Sequence, residues 1–218
     1  MAEARKRKII ALATLKGGSG KSTIAACLAA YWLLDGCKVA LFDTDPQGSL
    51  INWRQPDGPL EDLRIIANHT QTVGQAIAQS AGFHDVIVAD TAGFRNRTTI
   101  AVLAATDIAI VPVKASPFDL RVAADTLQLI GEINATKERR HRKIVVAVLL
   151  AQTTPGSVIA RHLRAEISEA GLPIMAAELA NRVVYGEAAL AGLTPSVVQP
   201  NGKASKEIAA VAMEIENM

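Results

Sequence analysis

The sequence predicts an α/β fold: a mostly parallel sheet covered by helices on both faces, in a single domain over residues 1–218. Three observations carry that prediction. Apolar runs of strand length alternate with helical runs along the chain. The first strand-to-helix junction is a glycine-rich loop, and later strands end in carboxylates on the edge where open α/β sheets place their ligands. Hydrophobic residues make up 50% of the chain and aromatics only 4%, so alanine and aliphatics fill the core, as suits buried parallel strands under close-packed helices. A chain of 218 residues suffices for one well-packed domain and is short for two.

Taken in order, the start from Met1 to Lys8 is basic, but the apolar run after it, Ile9-Ile10-Ala11-Leu12-Ala13, is too short for a signal sequence and reads as the first strand. Lys16-Gly17-Gly18-Ser19-Gly20-Lys21-Ser22-Thr23 follows, and Ile24 to Ala30 reads as a helix. Three glycines let the backbone curl so that successive N–H groups point inward. The helix adds its positive N-terminal end, so the loop suits a polyphosphate. Lys21 is placed to lie along β- and γ-phosphates and the Ser22 hydroxyl to coordinate a bridging Mg²⁺.

The glycine expected six residues before the active lysine is replaced by Leu15, and an additional lysine stands at Lys16. With that departure the loop resembles the deviant Walker A box of the ParA/MinD family of P-loop ATPases. Within it the chain resembles the small ParA-like (ParF-like) partition proteins without an N-terminal helix-turn-helix domain. The resemblance implies that Lys16 reaches across a dimer interface to phosphates bound by the partner subunit. Lys38 to Asp43 reads as a buried strand, followed by Asp43-Thr44-Asp45-Pro46-Gln47-Gly48-Ser49, a turn into a short helix through Trp53. This D-x-D-P-Q segment is similar to the family's second signature. The match implies that Asp45 orients the attacking water and approaches the metal shell, with Asp43 in support; the two acids also suit helix capping.

Gln55 to Pro59 is a loop, Leu63 to Ala67 a short strand and Thr72 to Ala81 a helix. His84 to Asp90 is an apolar strand ending in an acid, as expected of a Walker B carboxylate, so Asp90 joins Ser22 and Asp45 as a metal residue. The family commonly continues this acid with a proline pair; here Thr91-Ala92-Gly93-Phe94 stands instead, where Gly93 serves either a flexible switch or an ordinary strand-end turn. Arg95 and Arg97 follow, open to phosphate, a partner or solvent. Ala105 to Val113 reads as a strand and Phe118 to Ala135 as a helix, with Pro117 and Asp119 at its start. The charged run Lys137 to Lys143 is read as a solvated connection, or as part of a basic surface, before the strand Ile144 to Leu150.

Gln152 ends that strand on the ligand side, and the resemblance implies that it helps hold the base. Ser157 to Ala170 is a helix with Arg161 and Arg164 on one face, Leu172 to Ala176 a short strand, and Arg182 and Tyr185 lie in the next connection. The stretch from Asn181 to Val198 again resembles the family, implying Thr194 and Pro195 at the nucleotide rim. The last helix, Ala204 to Met218, begins near Lys203 and Lys206 and ends in acids.

Net charge is +2, so only local clusters of basic residues could favour a nucleic-acid or membrane partner. Cys27 and Cys37 show neither metal spacing nor a disulfide framework. No window offers the apolar length of a membrane span, so no membrane partner and a cytoplasmic location are expected; the resemblance implies that it is nucleoid-associated there. The resemblance implies hydrolysis of Mg²⁺-ATP in which Lys16, Lys21 and Asp45 are catalytic, a homodimer in the ATP state, nonspecific double-stranded DNA gripped through its phosphates, and a ParB-like or other stimulating adaptor. Arg161, Arg164, Arg182 and Lys203 are the candidate DNA contacts. Two alternatives stand beside it. A MinD-like membrane-associated ATPase requires a basic amphipathic C-terminal helix, which the acidic finish disfavours. A metabolic or metal-cluster relative requires bridging cysteines.

Overall fold

The computed structural model describes residues 7–51, 53–55 and 57–218. Its elements run β1 (Lys8–Leu12), α1 (Lys21–Leu34), β2 (Val39–Asp43), β3 (Arg64–Ala67), α2 (Val73–Ser80), β4 (Val86–Asp90), α3 (Arg97–Ala105) and β5 (Ile108–Lys114). Then come α4 (Pro117–Asn134), a 3₁₀ turn (Lys137–Arg139), β6 (Val145–Thr153), α5 (Val158–Glu169), β7 (Ile174–Ala180), α6 (Val183–Leu190), α7 (Pro195–Val198) and α8 (Lys203–Glu216). The seven strands form one sheet in the order β3-β2-β4-β1-β5-β6-β7, and every neighbouring pair is parallel.

The central strands β1, β2, β4 and β5 are buried on both faces because their side chains alternate between two cores. Ile10 and Leu12 of β1 pack with α1 and α8, whereas Ile9 and Ala11 pack with α2, α3 and α4. Alanines 25, 26, 29 and 30 are buried along α1, which lets this helix lie close to the sheet. Central β1 pairs Leu12 with Asp90 of β4, and β2 pairs Asp43 with the same Asp90, so two acids meet at one edge beside the loop after β1.

Several elements depart from the sequence expectation. Among the described residues between Asp45 and Trp53 no helix forms. The Asp43 carboxylate accepts the N–H groups of Asp45 at 3.3 Å and Leu50 at 2.8 Å, and Asp45 accepts that of Gln47 at 3.0 Å, drawing these amides into turns instead of a helix ladder. β7 runs four residues beyond Ala176 and carries an irregularity opposite Val148 and Leu150. Glu214 of α8 takes up the N–H groups of Ala176 and Ala177 there, both at 2.9 Å. Tyr185 belongs to a helix, α6, whose paired valines and Gly186 mask its helical tendency. The run 137–143 is only partly solvated. Arg139 is buried with its guanidinium on the carbonyl of Thr106, and Arg142 pairs with Asp107.

Candidate active site

The loop between β1 and α1 curls because Gly18 and Gly20 adopt left-handed φ values of 75° and 87°. Gly20 is the N-terminal cap of α1, so the first amides of that helix open toward the loop. Lys16, Gly17, Gly18 and Thr23 are exposed, whereas Ser19 is buried with a hydroxyl that has no partner among the described residues. Lys21 folds back beneath the loop and donates to the carbonyl of Lys16 at 3.3 Å. Burial lowers the pKa of its ammonium, and the charges of Asp90 and Asp45 oppose that shift.

Ser22 donates its hydroxyl to Asp90 Oδ2 at 2.5 Å, while Asp90 Oδ1 is buried with no partner among the described residues. Burial pushes the Asp90 carboxyl up to about 7 against the Ser22 hydrogen bond and the charge of Lys21, and Asp43 and Asp45 push it further. An orphan carboxylate oxygen beside a hydroxyl is a hard oxygen pair that fits a Mg²⁺ ion. Among the described residues no group of three His, Cys, Asp or Glu could hold a metal alone, so an ion here would draw its remaining ligands from water and phosphate oxygens. Asp43 is fully buried and spends both oxygens on backbone amides; Asp45 is half-buried at the mouth of the site.

Two contacts tie this centre to its surroundings. Lys16 Nζ lies 2.6 Å from Asp119 Oδ1 in the first turn of α4, within the same chain. Gly93 packs so tightly on the loop that a Cβ there would stand 2.7 Å from the Gly17 nitrogen and 2.8 Å from the Lys16 carbonyl carbon.

Beside the loop, a cavity of about 370 Å³ opens between the start of α1, the ends of β6 and β7, and α6. Gly20, Thr23, Gln152, Asn181, Arg182 and Tyr185 line it. Gln152 has φ 54°, a left-handed backbone that a side-chain-bearing residue rarely holds, and its Nε2 approaches Gly20 so closely that a Cβ on Gly20 would lie 3.0 Å away. The Tyr185 hydroxyl is buried with no partner among the described residues, and burial raises its pKa. Asn181 and Tyr185 were not singled out as lining residues in the sequence; their signal is position, just past the C-terminal end of a strand. Thr194 and Pro195 are buried at the start of α7 and lie outside the lining.

The basic candidates are divided. Arg161 and Lys203 are exposed. Arg164 donates to the Met175 carbonyl at 2.6 Å and pairs with Glu178 at 3.2 Å. Arg182 donates its Nε to both oxygens of Glu207 at 3.1 Å.

This geometry can be set against known proteins. The profile of the VirC1 protein family matches residues 7–207. The chain is 29% identical over 211 residues to maintenance of carboxysome distribution protein A of Halothiobacillus neapolitanus, an alignment covering 94% of this chain and 95% of that one. It is 28% identical over 185 residues to the protein ParA of Rhizobium radiobacter, covering 81% and 80%. The solved structure of the septum site-determining protein MinD complexed with Mg-ADP, from Pyrococcus horikoshii, superposes with a TM-score of 0.74 at 18% identity, covering 96% of each chain. By the span of the family match and by its fold, the chain belongs to the VirC1 protein family, within the ParA/MinD type of partition ATPases.

Proposed function

We propose that this protein is a Mg²⁺-dependent ATPase that dimerises with ATP, binds nonspecific duplex DNA in that state and positions a cargo, with a partner protein stimulating hydrolysis and release. The observation that carries the reading is the set of Lys21, Ser22 and Asp90 gathered under the glycine loop, with one oxygen of Asp90 left open. The names of the relatives support it: one is a ParA protein and the other a maintenance of carboxysome distribution protein.

The residues divide the work as follows. Loop amides of 17–21 and the start of α1 bind the phosphates, and Lys21 offsets charge growing on the transferred phosphoryl. Ser22 and Asp90 would hold a Mg²⁺ ion, which would supply positive charge against the phosphates. Asp45 orients the attacking water. Gln152 and Asn181, in the cavity beside the loop, hold the base. Lys16 reaches the phosphates of a second copy once it leaves Asp119, to which it is bonded in the single chain.

A membrane reading has little to work with, because α8 buries Ile208, Val211 and Ile215 in the core beside α1. A metal-cluster reading is disfavoured too. Cys27 is buried within α1, and burial pushes its thiol up to about 12. The test is binding to random-sequence duplex DNA with ATP, ADP and no nucleotide across a salt series, together with ATP turnover. ATP-specific, salt-sensitive binding is expected. Lys16→Ala should still bind ATP but neither dimerise nor hydrolyse it, and normal turnover by that variant would overturn the dimer reading.

A further inference from the structure

Exposed apolar side chains are concentrated on one edge of the sheet. Among the described residues eight large ones are at least half exposed, and five of these, Phe94, Phe118, Val158, Ile159 and Val183, stand just past the ends of β4, β5, β6 and β7. Neighbouring strands are all parallel, so these strand ends share one edge with the phosphate loop after β1. The other three are Phe83, Leu190 and Met213, and Phe83 precedes β4, on the opposite edge. Single exposed apolar residues are ordinary on a protein surface, whereas their concentration around a binding site marks a face that is covered in use.

The two aromatic rings stand nearest the loop. In the sheet β1 lies between β4 and β5, which places Phe94, four residues past Asp90, and Phe118, four past Lys114, on either side of the loop after β1. Each is next in sequence to a residue that touches the loop. Gly93 is packed on Lys16 and Gly17, and Asp119 holds Lys16 Nζ at 2.6 Å. Helix α4 is tied to the loop again by the Leu15 N–H, which donates to the Thr126 hydroxyl at 3.2 Å, and to the segment after β4 by Arg95, which donates to Glu132 at 2.9 Å. The backbone beneath both rings is thus anchored, while the rings themselves are 52% and 81% exposed. Lys16, Gly17 and Gly18 are exposed between them, so phosphates seated on the loop of one copy face water.

We propose that Phe94 and Phe118 seat a second copy of this chain: in the ATP dimer the two rings pack against the facing chain on either side of the phosphate loop and shut water out of the nucleotide site. It rests on the dimer reading above. The occupant follows from Lys16. For this lysine to reach phosphates bound by a second copy, that copy must lie against the loop, and the residues beside the contacts of Lys16 and Gly17 are then covered with it. A two-fold pair presents the same rings from both sides, so the patch is its own complement. Rings that surround a charged centre exclude water from it, and a drier site strengthens each phosphate contact inside. A lipid surface fits less well, because the polar loop and Lys16 stand between the rings and break the apolar face.

The experiment measures dimerisation by analytical ultracentrifugation with Mg²⁺ and the non-hydrolysable analogue AMPPNP. The proteins are wild type, F94S, F118S, F94L, F118L, F83S and Lys16→Ala. Loss of a buried interface aromatic weakens binding roughly fivefold or more per site, and a two-fold dimer loses it at both sites, so F94S and F118S should each raise the dissociation constant at least ~25-fold. F94L and F118L keep an apolar group and should recover most of that loss. F83S, on the opposite edge, should stay within about twofold of wild type. At protein concentrations where wild type is a single chain, F94S and F118S should bind a fluorescent ATP analogue within about twofold of wild type, because the rings touch the second copy and not the nucleotide. Wild-type dimerisation by both serine variants, with Lys16→Ala unable to dimerise, would overturn the proposal and leave the dimer reading standing. A wild-type protein that stays single with AMPPNP would overturn both. Weakened nucleotide binding by the single-chain serine variants would overturn it by assigning the rings to the loop itself. Wild-type co-sedimentation with phosphatidylserine vesicles, lost in the serine variants while dimerisation persists, would overturn it in favour of a lipid surface.

Discussion

Gly93→Ala isolates the contact between the segment after β4 and the phosphate loop. The φ of Gly93 lies outside the left-handed region, so alanine meets no backbone strain and the effect is one of contact. Its methyl would stand 2.7, 2.8 and 2.9 Å from Gly17 N, Lys16 C and Gly17 Cα, where ordinary contacts begin at 3.4 Å, and all three are backbone atoms that no rotamer change can move. The two segments must part by about half an ångström, at a cost of ~1–3 kcal/mol in overpacking. If the loop yields, the Gly17 amide leaves its place. Loss of one hydrogen bond to a charged phosphate, ~1.5–3 kcal/mol, lowers ATP affinity about 10- to 150-fold. Titration with a fluorescent ATP analogue, beside urea unfolding, reads both quantities. Affinity within twofold of wild type together with unchanged stability would refute the reasoning.

Further predictions follow from the same geometry. Without nucleotide and in EDTA, Asp90 ionises at about 7 in the folded protein against its usual 3.8. The unfolded chain thus releases this proton first, and stability should fall by roughly 3 kcal/mol between pH 5 and pH 8 on account of this group. Asp90→Asn should lack that fall, so its urea midpoint should gain on wild type as pH rises; a gap independent of pH would sink the assignment. Asp119→Asn frees Lys16 from a half-exposed ion pair worth ~0.2–1 kcal/mol in each protomer and, with two pairs per dimer, should lower the protein concentration needed for ATP-dependent dimerisation by up to about 30-fold, read by analytical ultracentrifugation. A Cβ at Gly131 in α4 meets nothing within 4 Å, so Gly131→Ala should raise stability by ~0.5–1 kcal/mol with ATP turnover unchanged.

Legibility in the sequence followed locality. The phosphate loop is eight consecutive residues between a strand and a helix, and Asp43 and Asp90 sit at strand ends, so spacing alone placed them. The close seat of Gly93 on Gly17 was not legible, because those residues lie far apart in the chain and meet only through the register of β1 with β4. The same reason hid the partners of the basic candidates: Glu178 and Glu207 stand 14 and 25 residues from Arg164 and Arg182, beyond any helical spacing. The sequence shows only that α8 ends in acids; that Glu214 and Glu216 bond to β7 amides and to Trp32 is a matter of tertiary placement. Pro46 suits a helix start, but the carboxylates of Asp43 and Asp45 compete for the same amides, and local spacing does not reveal which prevails.

The position of β1 at the middle of the sheet bears on how the chain matures during synthesis. β1 leaves the ribosome before β4 and β5, so it waits for both before it has a neighbour on either side, and Lys8 finds its two carbonyl acceptors only when residues 215 and 216 emerge. Asp90 emerges well before the residues closing the adjacent cavity, Asn181 to Tyr185. A nascent chain therefore exposes its glycine loop without a finished pocket beside it until those residues follow. Competence to capture nucleotide arises only then, shortly before α8 locks the central strand in place.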